Sequence, residues 1–355
     1  MSRTSNIYAV CIPVTMGAGA AALICGASLL PLAARYASGA MLMTATLAAT
    51  VYCIYRKQAS RNPLAWTMIF FLTGAFCYCN AYITGISGRT TAVFPQAGLH
   101  VRSIILEIPF TEERDNAMLL ALICGDRSLL DADTVNAFRK AGAAHLLALS
   151  GMHLGIIYLI VRRILGVFGN SVAARNVRSA ATIIITGLYT LFCGAGVSLV
   201  RAWLFIMLAE TALMLHRRQP PQQIFCTALT LHLIMNPLGI SELGFQLSYL
   251  AMIGIVFLWP HIRGWMDSRI WEGASLCISC QIFTGPLSYF HFGTFPTFFL
   301  VTNLLAAPLM SVVMLCGIIA TAACATGVDT IWFYRICEMP VMGLRMLMET
   351  ISAIQ

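Results

Sequence analysis

Apolar residues in this chain come in long runs with little polar punctuation. Ten runs approach the roughly 20 residues that carry a helix across a ~30 Å hydrocarbon layer: 7–30, 39–55, 64–84, 143–161, 180–195, 199–215, 222–235, 243–259, 272–290 and 295–326. The pattern predicts an all-α integral membrane protein with about ten transmembrane helices, three before a polar segment at 85–142 and seven after it. The first run exceeds a signal-peptide core and lacks a polar cleavage segment, so it is expected to be retained.

The polar segment has two halves. His100–Ile108 alternates and predicts one or two strands. Ala117–Cys124 and Leu129–Ala141 predict two short helices, the second opened by Ser128 or Asp131 and stopped by Gly142. The whole reads as a short extracytoplasmic helical or strand insertion. Two places interrupt the helical pattern at membrane depth, Gly194-Ala195-Gly196 and Pro308. Non-helical backbone there is satisfied only by protein or a water-filled cavity, so both point to re-entrant segments around a solvated interior. The chain then turns at 327–329 and closes with 331–355, interrupted by Pro340 and read as an amphipathic tail at the cytoplasmic face. Four domains result: a membrane segment at 1–84, the outer insertion at 85–142, a membrane core at 143–330 and the tail at 331–355.

Composition agrees. Charged residues make up 10% of 355 positions and apolar ones 59%, against about 25% and 45–50% in soluble domains. The formal charge of +8 reports orientation before it reports a partner. With the N-terminus inside, 14 of the 22 basic residues fall on the inner face, so both termini of this multi-pass protein are expected in the cytoplasm. Most of the 13 cysteines sit within apolar runs, where they behave as small apolar residues. Cys277 and Cys280 form a C-x-x-C with no second pair or nearby histidine, so no metal site is expected. Lys57 and Lys140 each follow arginine, so there is no phosphate-binding G-K-[ST] loop and no ATPase of that class.

Three polar side chains fall close together in the run 143–161. On a continuous helix, His145, Ser150 and His153 share an arc of roughly 140°. Either they bond to neighbouring helices, or they line an aqueous path. Ser150 and His153 also admit a hydrolase reading, but no carboxylate partner completes it and no catalytic residue is assigned. Arg201 opens the run 199–215, where a guanidinium must meet another span or an anion such as a phosphate. Gln246 and Ser248 open the run 243–259, and Asn303 lies five residues before Pro308; each donates to a phosphate or to the next helix.

In order, the stretches ALICGDRSLLD (Ala121–Asp131), FRKAGAAHLLALSGMHLG (Phe138–Gly155), SLVRAWLF (Ser198–Phe205), NPLGISELGFQLSYLAMIG (Asn236–Gly254) and Gln281–Pro308 resemble the ComEC competence-protein family. The resemblance implies an inner-membrane channel that takes up single-stranded DNA in natural transformation. It implies a cargo path of Arg127, His145, Ser150, His153, Arg201, Gln246, Ser248 and Asn303. The structural motif positions are Gly125, Asp126, Ser128, Gly151, Gly194, Gly196 and Pro308. Expected partners are single-stranded DNA, membrane lipid, a separate DNA receptor outside, a cytoplasmic ATP-driven motor and further copies of the chain; no cofactor is expected. Full-length members carry an outer OB-like domain, and many a metallo-β-lactamase-like domain. Here the outer segment is short and no H-x-H-x-D-H motif occurs, so strand degradation is expected elsewhere. The alternative is a transporter of a small molecule or lipid on the same membrane core.

Overall fold

The structure, a computed structural model, describes residues 5–26, 63–84, 95–169, 171–217, 219–293 and 298–354. Among these residues every regular element is a helix. In chain order they are α1 (Ser5–Gly26), α2 (Pro63–Thr84), α3 (Pro95–Glu107), α4 (Glu113–Cys124), α5 (Ala132–Lys140), α6 (Ala144–Leu147), α7 (Gly151–Leu165) and α8 (Val172–Phe192). There follow α9 (Val197–Met214), α10 (Pro221–Met235), α11 (Leu243–Ile253), α12 (Trp259–Ile262), α13 (Arg269–Phe292), α14 (Phe299–Ala325) and α15 (Ile331–Ile354). Between α11 and α12 the helix widens into a π turn at Gly254–Leu258.

Three stretches of the described residues are long and apolar enough to cross a membrane: Val197–Met214, Leu243–Trp265 and Phe299–Ala325. Val10–Leu23 and Thr67–Tyr82 are shorter apolar helices. The expected run 39–55 lies outside the described residues. The described residues are thus all-helical and compatible with a membrane protein, at a coarser level than ten spans.

Several expectations need correction. His100–Ile108 is not a strand; His100–Glu107 belongs to α3, and Ile108 follows it directly. Val101, Ile104, Ile105 and Ile108 are spaced i, i+3, i+4, i+7, a helical stripe that a short alternation obscures, and Ile105 and Ile108 are buried. Pro308 does not divide its run, nor does Pro340 interrupt the tail; α14 and α15 pass through them. Proline keeps a helical φ and removes one hydrogen bond, whereas breaking the helix at membrane depth would free several more backbone groups. Gly194-Ala195-Gly196 is a real break, with Gly194 at φ 78° and Ala195 at φ 50°. Two successive left-handed residues cannot belong to an α-helix.

The chain divides into two compact units. The first comprises 1–89 and 207–249. Here α1 and α2 touch backbone to backbone: a Cβ added at Gly17 would lie 1.8 Å from the Phe71 carbonyl oxygen, and one at Gly74 2.0 Å from that of Val14. Such closeness is how membrane helices gain packing without a hydrophobic drive between them. Within this unit His232 Nδ1 meets the Tyr249 hydroxyl at 3.0 Å, beside the Phe245 ring.

The second unit comprises 90–206 and 250–355. Its centre is α4, buried from Asp115 to Ile123 and packed on α3, α14 and α15. Acidic Glu113 and Asp115 suit its N-terminal dipole. Gly125, at φ 78°, ends it, and the Gly125 N–H donates to the Ala121 carbonyl. Leu119 reaches Gly317 on α14, where an added Cβ would come within 2.3 Å of its Cδ1. The Asp131 carboxylate caps α5 by accepting from the Thr134 N–H at 3.1 Å, and Gly142 follows with φ 75°, close to the bounds read from sequence.

On α15, Arg345 Nε donates to Asp115 Oδ1 at 2.9 Å, and Arg345 Nη2 lies 2.9 Å from Glu112 Oε2. Glu338 accepts from the N–H and the hydroxyl of Thr111. An ion pair of 2.9 Å cannot bridge a ~30 Å layer. The polar segment and the tail therefore meet at one depth, which corrects their assignment to opposite membrane faces.

Candidate functional site

The three turns that carry the sequence motifs converge at the C-terminal end of α4. The first, Gly125–Ser128, is held by the Asp126 carboxylate, which accepts from the Ser128 N–H at 3.0 Å and pairs with Arg102. Partial burial pushes this carboxyl up, but the Ser128 N–H and hydroxyl and the Arg102 guanidinium outweigh it and hold it below the usual carboxylate range. Arg127 and Ser128 are exposed.

The second turn, Ala148–Ser150, joins the first directly: a Cβ on Gly125 would lie 2.6 Å from Leu149 Cδ1, so alanine there would both strain the backbone and collide. Ala148 is extended (φ −89°, ψ 134°) and so is Ser150 (φ −120°, ψ 171°). The run 143–161 is therefore two helices, α6 and α7, and the arc drawn through His145, Ser150 and His153 on one continuous helix does not exist.

Ser150 is instead the cap of α7. Its hydroxyl accepts from the Met152 N–H at 3.2 Å, and the Ser150 N–H donates to His153 Nδ1 at 3.2 Å, a reciprocal capping box. A ring nitrogen that accepts an N–H bond carries no proton, so a neutral His153 holds its hydrogen on Nε2. His153 is fully buried, and Nε2 meets no hydrogen-bonding partner among the described residues. His145 lies on α6 and is exposed.

The third turn, Gly194–Gly196, is tied to the same end of α4. The Tyr189 hydroxyl donates to the Ile123 carbonyl at 2.7 Å, with the Cys193 thiol 3.7 Å from it. One turn of helix further on, Arg201 is buried on α9. A Cβ on Gly151 would sit 3.4 Å from Ala202 Cβ and 3.6 Å from Arg201 Nη2. The guanidinium therefore lies against the first residue of α7, where helix N–H groups already favour an anion. Cys280 on α13 lies within electrostatic reach of Arg201.

The remaining expected residues are placed as follows. Gln246 and Ser248 belong to the other unit, where Gln246 Nε2 donates to the Ile240 carbonyl at 2.9 Å and Ser248 is buried. Asn303, in the first turn of α14, donates to the Phe299 carbonyl at 2.7 Å. Arg102 and Tyr189 were not anticipated, because an arginine in a supposed strand and a tyrosine in an apolar run give no spacing signal. A buried hydroxyl row on α8, Thr182, Thr186 and Thr190, was legible as an i, i+4 repeat. Each of its hydroxyls donates four residues back. Among the described residues no group of three His, Cys, Asp or Glu side chains could hold a metal ion, and Cys277 and Cys280 are free thiols.

Comparison with known proteins places these turns in a family. The chain is 27% identical over 205 residues to ComE operon protein 3 of Bacillus subtilis, covering 56% of this chain and 25% of that one. It is 25% identical over 221 residues to Recombination protein 2 of Haemophilus influenzae, covering 55% of this chain and 26% of the relative. It thus spans about a quarter of the length of each. No solved structure matches. The family described as "Competence protein" matches residues 122–355, a span that contains all three turns, Arg201 and α7 to α15, and the chain belongs to this family.

Proposed function

We propose that the chain is the membrane core of a channel that takes up single-stranded DNA during natural transformation, in the inner membrane of a bacterium. The observation that carries this reading is Arg201 set against the N-terminus of α7. Both favour a phosphate oxygen, the arginine by charge and planar fork, the helix by the positive end of its dipole. Together they form a contact for a sugar-phosphate backbone that reads no base, as a conduit for any sequence requires. Arg127, exposed on the neighbouring turn, would steer the polyanion toward it. A receptor outside and a motor inside complete the assembly.

Deleting the gene should abolish chromosomal transformation while leaving DNA binding at the cell surface intact. Complementation with Arg201→Lys should restore membrane abundance but lower transformation by roughly ten- to a hundredfold. That range corresponds to a charged hydrogen bond of about 1.5–3 kcal/mol lost at the phosphate. Transformation unchanged by the deletion would move the alternative cargo, a small molecule or lipid, into first place.

A further inference from the structure

The geometry points to α15 as a lipid-facing helix that crosses the bilayer beside α14, rather than a tail resting on the membrane surface. The inference rests on α14 being a span, and it follows from an inversion of the usual amphipathic pattern. A helix lying at a water interface turns its charges outward and buries its apolar side. On α15 the two charges nearest mid-helix go inward: Glu338 is 4% exposed and Arg345 6%, each bonded to the polar segment, while Arg335 and Glu349 stand nearer the two ends. The outward stripe is Trp332, Ile336, Met339 and Met346, spaced four, three and seven residues apart on one face, with Ile336 67%, Met339 66% and Met346 50% exposed.

Three further observations select acyl chains as what covers this stripe. α15 has 24 residues, a length of about 36 Å, enough for the hydrocarbon layer. It follows α14 after a short turn and packs against it. The outward side of α14, through Leu305, Val312, Leu315 and Ile319, is likewise apolar and exposed. Composition obscures the span because Arg335, Glu338, Arg345 and Glu349 count against it, although Glu338 and Arg345 meet protein, Arg335 pairs with Glu338 near the helix start and Glu349 lies 3.6 Å from Arg345 near its end. Between these ends the surface left for lipid is the apolar stripe.

The test uses the full chain in a cysteine-free background, with single cysteines at His291, Val328 and Ala353, probed with a membrane-impermeant thiol reagent from each side. The inference expects His291 and Ala353 to react from one side and Val328 from the other. Val328 and Ala353 reacting from the same side, with His291 opposite, would make α15 a surface tail and overturn it. All three reacting from one side would remove α14 as a span as well. Should the background not accumulate, epitope tags inserted at the same positions give the same readout.

A spin label at Met339→Cys in reconstituted bilayers supplies the second measurement. High accessibility to oxygen with low accessibility to a water-soluble nickel chelate supports lipid contact. High nickel accessibility overturns it in favour of water, and low accessibility to both overturns it in favour of another protein, including a second copy of the chain.

Discussion

The turn cluster around Gly125 and the helix pair α14–α15 lie in the same unit and handle polar groups in opposite ways. In the helix pair, Arg345 reaches Asp115, Glu112 and Glu349, and Glu338 is shared between Thr111 and Arg335. Opposite charges meet inside the protein while apolar side chains face out. In the turn cluster the polar groups gather where helices stop: Arg201 at a helix N-terminus, His153 with a buried Nε2 and Arg127 exposed. Polar residues that tie helices together should govern folding, and those that collect at helix ends should govern traffic.

The largest expected effect tests the first half of that contrast. Arg345→Met leaves the buried Asp115 carboxylate without its partner, and breaking a buried pair from one side costs about 3–5 kcal/mol. Membrane abundance and melting temperature should both fall sharply. Adding Asp115→Asn should recover much of the loss, because it removes the stranded charge. A stable Arg345→Met protein that no longer supports transformation would break the contrast, since the pair would then serve transport.

His153 sharpens the second half. Asn places its Oδ1 where Nδ1 stands and keeps the bond from the Ser150 N–H, but loses Nε2. Gln extends a donor toward the position of Nε2 and gives up the cap. His153→Asn should therefore fold normally and lower transformation, whereas His153→Gln should lose about 1 kcal/mol of stability, the usual worth of a cap. A transformation defect confined to the Gln variant would assign His153 to capping alone.

How much of this was legible in sequence depended on what kind of signal each feature leaves. Left-handed turns announce themselves: Gly125, Gly142 and Gly194 are glycines followed by a change of pattern, and all three have positive φ. Proline misled in the opposite direction, because Pro308 and Pro340 look like stops yet their φ fits a helix. The Ser150 break was missed because an apolar run surrounds it, and apolar periodicity cannot tell one helix from two joined by an extended residue. The Asp115–Arg345 pair was out of reach for a different reason. The partners are 230 residues apart, and nothing local in either helix states that the other exists.

The smallest effect lies at the Gly125–Ser128 turn, where Asp126 pairs with Arg102. Asn at this position keeps an oxygen for the Ser128 N–H and loses the ion pair, so the turn should persist. The pair is about a third exposed, with side-chain exposures of 34% and 28%, and solvent screening limits its worth to under about 1 kcal/mol. Its signature is the dependence on acid. The folded carboxyl lies below its unfolded value, so its contribution is present above an unfolded pKa of about 3.9 and disappears as the pH falls through the lower folded value. Melting temperature followed from pH 6 to pH 3 should decline less steeply in Asp126→Asn than in the parent protein. Asp131, also held low against the pull of burial by its bonds to Thr134, contributes equally to both curves and cancels in the comparison. Identical slopes would mean that the Asp126 carboxyl is not held low in the folded protein, by the Ser128 N–H and hydroxyl or by Arg102.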